Sequence, residues 1–185
     1  MKDHMQFSEL IKQRQSVRRY SERPVEGEKL DLLVEAVRLA PSASNSQPWT
    51  MIMVTEPELK NKVAEATYSK LVSFNKFAPQ APVVAVLVIE KPKAITQLGG
   101  ALKNREFPLI DIGIAASQFC LQAAELGLGT CMLGWFDEKT IKNLLNIPRA
   151  KRIGLVITLG YPPEAYRVRP KIRKERDEMS RVNSY

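Results

Sequence analysis

Val83-Val84-Ala85-Val86-Leu87-Val88-Ile89 is an unbroken apolar run in which five of seven side chains are β-branched. A strand with one wet face alternates apolar and polar residues, so a run without alternation reads as a strand buried on both faces. Residues 153–159, Ile-Gly-Leu-Val-Ile-Thr-Leu, repeat that pattern, and residues 50–54 form a shorter strand. Residues 110–126 are apolar nearly all round, which predicts a central helix buried on every side. Gly127 and Gly129 are expected to end it at positive φ. Leu30, Leu33, Val34, Val37 and Ala40 recur at the spacing of an amphipathic helix, and Pro41 stops it. Shorter helices are expected at residues 6–14, from Pro57 to about residue 67, and from the cap Asp137 to residue 145. Residues 14–20 read as an irregular segment, and residues 131–136 as a short strand or extended turn. Residues 90–108 are polar, contain Gly99-Gly100 and resist assignment. Three or four strands among about five helices make the class α/β or α+β, in one domain over residues 1–185.

Composition narrows the function. A chain of 185 residues with 44% hydrophobic and 26% charged residues is that of a soluble globular domain. The run 83–89 is too short for a bilayer, which takes about 20 residues. The first ten residues carry Lys2, Asp3, His4 and Glu9 and have no signal-peptide core. Cys120 and Cys131 form neither a CxxC nor a disulfide framework. The expectation is a cytoplasmic protein, not bound to a membrane. With one His and two Cys, a structural zinc site is excluded.

The formal charge of +8 is uneven. Residues 1–24 hold six basic and three acidic side chains, residues 149–185 hold ten and four, and the long middle is nearly neutral. Such ends suit a nucleic acid, an anionic ligand, or water.

Most self-contained chemistries are missing. A Ser-His-Asp or Cys-His arrangement needs an imidazole base, and the single His4 reads as a surface or frayed-end residue. The chain has no HExxH, GxSxG or P-loop. Gly127-Leu128-Gly129 with Gly134 follows a helix, whereas a dinucleotide fingerprint follows a strand. Asp111 and Glu125 read as structural carboxylates, buried or capped. What remains is equipment for holding a ligand. Arg14, Ser16 and Arg18 at one end, and Lys171 and Arg173 at the other, suit phosphate oxygens. Asn45 and Gln47 offer amides of the kind that read the heteroatom edge of a planar ring.

Four segments, taken in order, resemble the nitroreductase family of flavin mononucleotide (FMN) enzymes. They are Arg14-Gln15-Ser16-Val17-Arg18-Arg19-Tyr20; Ala40-Pro41-Ser42-Ala43-Ser44-Asn45-Ser46-Gln47-Pro48-Trp49; Asp111-Ile112-Gly113 running to Gly127-Leu128-Gly129-Thr130-Cys131; and Leu159-Gly160-Tyr161-Pro162 with the basic Pro170-Lys171-Ile172-Arg173. The resemblance implies an α+β, three-layer α/β/α-like fold whose mixed or antiparallel sheet is flanked by helices. It implies an intertwined homodimer with FMN at the subunit interface. Arg14, Gln15, Ser16 and Arg18 would hold the phosphate and ribityl chain, and Lys171 and Arg173 would close on the same phosphate. Pro41, Ser42, Ala43, Ser44 and Asn45 would lie along the ring from the partner subunit, with Gln47 nearby. Met132, Leu133 and Gly134 would pass beneath it and offer a backbone N–H.

The implied activity is ping-pong hydride transfer from NAD(P)H through the flavin to a nitroaromatic, quinone or similar small acceptor. No side chain would act as the catalytic group. A flavin-binding relative with another role, such as dehalogenation or flavin handling, is the alternative on the same scaffold. A basic nucleic-acid-binding protein is the distant one, and the chain has no single-faced basic helix or aromatic–basic interleaving to support it.

Overall fold

The computed structural model describes residues 6–71 and 73–185. His4 lies outside the described residues. Four strands form one antiparallel sheet in the order β1-β2-β4-β3: β1 (Trp49–Val54), β2 (Val83–Ile89), β3 (Gly129–Leu133) and β4 (Arg152–Gly160). The register runs Trp49 opposite Ile89, Val83 opposite Leu159, and Gly129 opposite Gly160, with one irregularity at Leu87/Val88.

The unbroken run in β2 is explained by its central place. Val84, Val86 and Val88 enter one core, and Val83, Ala85 and Leu87 enter the other. The first core is closed by α3 (Pro57–Glu65) and α6 (Glu138–Leu144), the second by α2 (Gly27–Arg38) and α5 (Phe107–Glu125). The result is the three-layer α+β arrangement. Each element starts where its residues allow. Pro57 occupies the first turn of α3, where its missing N–H costs nothing, and Glu56 accepts the free N–H groups of Glu58 and Leu59. Asp137 caps α6 by accepting from the Thr140 N–H at 3.1 Å.

Three sequence expectations need correction. The helix of residues 110–126 is α5, but it is not covered all round within one chain. Asp111, Ile112, Ala115, Ala116, Phe119, Cys120 and Ala123 are buried, whereas Ile110 is 51% exposed and Gly113 and Ser117 also face outward. The physical reason is that α2 and the sheet reach only one side of it. By length and composition alone α5 is long and apolar enough to cross a membrane. Its buried side nevertheless forms the second core.

Second, of the two glycines that follow α5 only Gly127 has positive φ, at 76°. Gly129 is required by close approach: a Cβ there would lie 2.6 Å from a Val17 methyl. Third, the unassigned stretch contains α4 (Ala94–Lys103), ended by Asn104 in the left-handed region. A short α1 (Phe7–Gln13) packs on α5, and α7 (Arg176–Met179) lies in the exposed C-terminal stretch.

Candidate functional site

The edge strand β3 positions the site. Its free edge is taken at Thr130 by residue 16 in a parallel bridge, with the Val17 N–H donating to the Thr130 carbonyl at 2.8 Å. This fixes the 14–18 segment, and the tight Gly129–Val17 contact locks its height. Past Tyr161 the chain returns antiparallel along the same segment. The Ser21 N–H donates to the Tyr161 carbonyl at 2.8 Å, and the Arg18 N–H to the Tyr166 hydroxyl at 3.2 Å. Gln15 donates to the Arg167 carbonyl at 3.2 Å and accepts from the Arg169 N–H at 3.2 Å. Lys171 Nζ bonds the Arg14 carbonyl.

The return begins at a fixed point. The Tyr161 hydroxyl donates to Glu26 at 2.6 Å and accepts from Lys29 Nζ at 2.6 Å. Arg23 stacks 3.9 Å from the Tyr161 ring centroid. That hydroxyl, more than the Arg23 ion pair, holds the Glu26 carboxyl down at about 2.

Between the two segments lies a groove of about 400 Å³ lined by Arg14, Gln15, Ser16, Arg18, Arg169, Pro170, Lys171, Ile172 and Arg173. It contains five cations and no acid, and none of the five is in an ion pair among the described residues. The Lys171 ammonium is held below its usual range by desolvation, then by Arg14 and Arg173. Such a groove favours an anion, because bound negative charge relieves the mutual repulsion of its walls.

The groove brings together Arg14, Gln15, Ser16, Arg18, Lys171 and Arg173, which the family resemblance assigned to one phosphate, and adds Arg169. Arg169 Nη2 donates to the Ser16 carbonyl at 2.7 Å, and Nε to Gln15 at 3.4 Å. The overlooked signal was the alternation Arg167, Arg169, Lys171, Arg173, which in an extended segment puts charges on one side.

Residues 41–47 form a second cluster that shares no hydrogen bond with this groove among the described residues. Ser44, Asn45 and Gln47 have φ of 51°, 49° and 47°. Each such left-handed non-glycine residue costs about 1–2 kcal/mol, so the loop must be held. The Gln47 N–H donates to Ser42 Oγ at 2.8 Å, and Gln47 Nε2 to Asn45 Oδ1 at 2.8 Å. Lys93 Nζ reaches the Ser44 carbonyl at 3.3 Å. Asn45 and Gln47 are left exposed, their amides in a fixed mutual orientation, whereas Ser42 and Ala43 are half-buried.

Met132 and Leu133 lie further along β3 from the groove, and Gly134 follows its end. Met132 and Gly134 are exposed, but the Leu133 side chain is buried in the first core, so only its backbone can meet a ligand. Beside the groove, Cys120 lines a small cavity of about 140 Å³ with Arg14, Gln15 and Thr130. Burial pushes the Cys120 thiol up to about 11 and raises that of Cys131 as well, so neither is a thiolate near neutrality.

Residues 11–161 match the Nitroreductase family. A putative NADH dehydrogenase/NAD(P)H nitroreductase of Archaeoglobus fulgidus is 31% identical over 84% of this chain and 84% of its own length. An FMN reductase [NAD(P)H] of Bacillus subtilis is 30% identical over 86% of this chain and 67% of its own. Among solved structures, an FMN-dependent nitroreductase of Clostridium difficile R20291 superposes with a TM-score of 0.75 at 26% identity, covering 95% of this chain and 98% of that one.

Proposed function

Because this chain belongs to the nitroreductase family, we propose that it is an FMN-dependent NAD(P)H oxidoreductase that acts as a homodimer and reduces a nitroaromatic, quinone or similar small acceptor in a ping-pong cycle. The observation that carries this reading is the groove, where five cations converge without a counter-charge. A phosphate monoester fits it. The Arg14 and Arg18 forks have no hydrogen-bonded protein partner among the described residues, Ser16 adds a hydroxyl, and Lys171 and Arg173 close the opposite wall.

In this reading Asn45 and Gln47 present amides to the ring edge, from the partner subunit. Met132, Gly134 and the Leu133 backbone border the ring along β3. Bound FMN supplies the hydride chemistry, for which this chain's side chains are not equipped. The chain's task is to neutralise the phosphate, orient the ring and leave room for donor and acceptor in turn. The homodimer is supported by the outward side of α5, where Ile110, Gly113 and Ser117 lack cover within one chain.

The test is direct. The purified protein is expected to take up one FMN per chain with a structured visible spectrum. NAD(P)H should reduce that flavin stoichiometrically, and consumption beyond one equivalent should require an acceptor. A protein that takes up no FMN overturns the proposal, and a tightly bound flavin that NAD(P)H cannot reduce overturns the reductase part. Stopped-flow reoxidation against a panel of acceptors then identifies the substrate class.

A further inference from the structure

Asp111 belongs to no part of the groove, yet it is 2% exposed on α5. Its Oδ1 accepts from the Ala43 N–H at 3.1 Å, and its Oδ2 has no hydrogen-bond partner among the described residues. A buried carboxylate so sparsely partnered is an expensive way to hold one peptide group. The peptide group it holds opens the strained stretch containing Ser44, Asn45 and Gln47. From the other side, Thr96 of α4, 4% exposed, donates to the Ala43 carbonyl at 3.4 Å and pairs with Ser46 Oγ at 2.8 Å. Residue 43 is therefore gripped at its N–H by one helix and at its carbonyl by another. Its own side chain is a methyl group and contributes nothing polar.

We propose that Asp111 is a positioning residue: by holding the Ala43 N–H it sets the direction in which Asn45 and Gln47 project, and so governs the ring end of the cofactor site and not the phosphate end. This rests on the FMN reading above. The strain makes the mechanism specific, because a segment with three left-handed side chains relaxes when an anchor is lost. A charge-assisted acceptor is the stronger anchor. The groove is built from β3 and the two terminal segments, and does not depend on this anchor.

The experiment compares Asp111→Ala, Asp111→Asn and Arg14→Ala in the full chain, by FMN titration and by the visible spectrum of bound FMN. Asp111→Ala is expected to weaken FMN binding about tenfold and to alter the band shape of the bound flavin. Asp111→Asn keeps an acceptor for the Ala43 N–H and should restore the native spectrum. Arg14→Ala should weaken binding and leave the spectrum unchanged. A folded Asp111→Ala protein with native affinity and spectrum overturns the proposal, as does an Asp111→Asn protein as impaired as the alanine variant. Where Asp111→Ala fails to fold, Asp111→Leu keeps the side-chain volume and removes the acceptor for the Ala43 N–H, and native affinity and spectrum in that variant overturn the proposal equally. Wild-type protein that binds no FMN removes the cofactor reading and this inference together. Wild-type protein that binds FMN, with an indifferent Asp111→Ala, removes this inference alone.

Discussion

Arg14 and Arg173 sit on opposite walls of one groove although 159 positions separate them in the chain. Each is expected to contribute a charge-assisted bond worth about 1.5–3 kcal/mol to a phosphate. Arg14→Ala and Arg173→Ala should each weaken FMN binding by roughly ten- to a hundredfold, read by fluorescence titration, and unchanged affinity in both removes the phosphate assignment. The thiols give an independent check. With Cys120 raised to about 11 by burial and Cys131 raised by the same cause, neither should react with a thiol reagent at neutral pH until the protein unfolds. A rapid reaction in native protein contradicts the burial described. Arg14, Arg18, Lys171 and Arg173 could be connected from the sequence only through the family resemblance, because basic side chains at short spacing suit water or a nucleic acid as well as a phosphate. Arg169 could not be, because a basic stretch broken by Pro170 reads as a solvated tail until the Tyr161 anchor shows it folding back. The grip of Asp111 on Ala43 was hidden for a different reason. A carboxylate in an apolar helix announces burial, but only packing reveals which backbone group it meets.

At the scale of elements, β2 and β4 were readable from unbroken apolar runs, and α2 from its stripe. Helix α4 was not, since Gly99-Gly100 interrupts it and Ile95, Leu98 and Leu102 remain exposed. Its one buried side chain is Thr96, whose task is to hold a neighbouring loop. The apolar character of α5 was plain, but character does not say which side stays open. Placing a charge on the open side tests the consequence. Ile110→Glu is expected to shift sedimentation of the proposed homodimer towards monomer without loss of helical circular dichroism, and an unaltered dimer places the interface elsewhere. The cap of α6 offers a smaller effect: Asp137→Ala should lower stability by about 1 kcal/mol in a denaturant titration.

For the whole molecule, the carboxylates set the response to acid. Hydrogen bonds from Tyr161 hold Glu26 down at about 2, Lys151 lowers Glu90, Arg38 lowers Glu35, and the Leu59 and Glu58 N–H groups lower Glu56. Groups depressed in the folded state bind protons more readily when unfolded, so their stabilisation is complete above the ordinary carboxylate range and is lost as pH falls through the folded values. The melting temperature should therefore be insensitive to these groups above about pH 5 and should fall steadily towards pH 2. A flat profile down to pH 2 contradicts the ion pairs and caps described. Residues 14–16 meet residues 167–171 in contacts that span up to 157 positions. Closing so long a loop is entropically unfavourable until the sheet already holds both segments near each other. During synthesis, the first wall of the groove leaves the ribosome some 150 residues before the second. The sheet is complete at residue 160, whereas the second wall begins only at residue 169. If the groove holds the FMN phosphate as proposed, a released chain truncated after residue 166 should fold its sheet yet stay colourless in the presence of FMN, and a yellow truncated protein places the phosphate elsewhere.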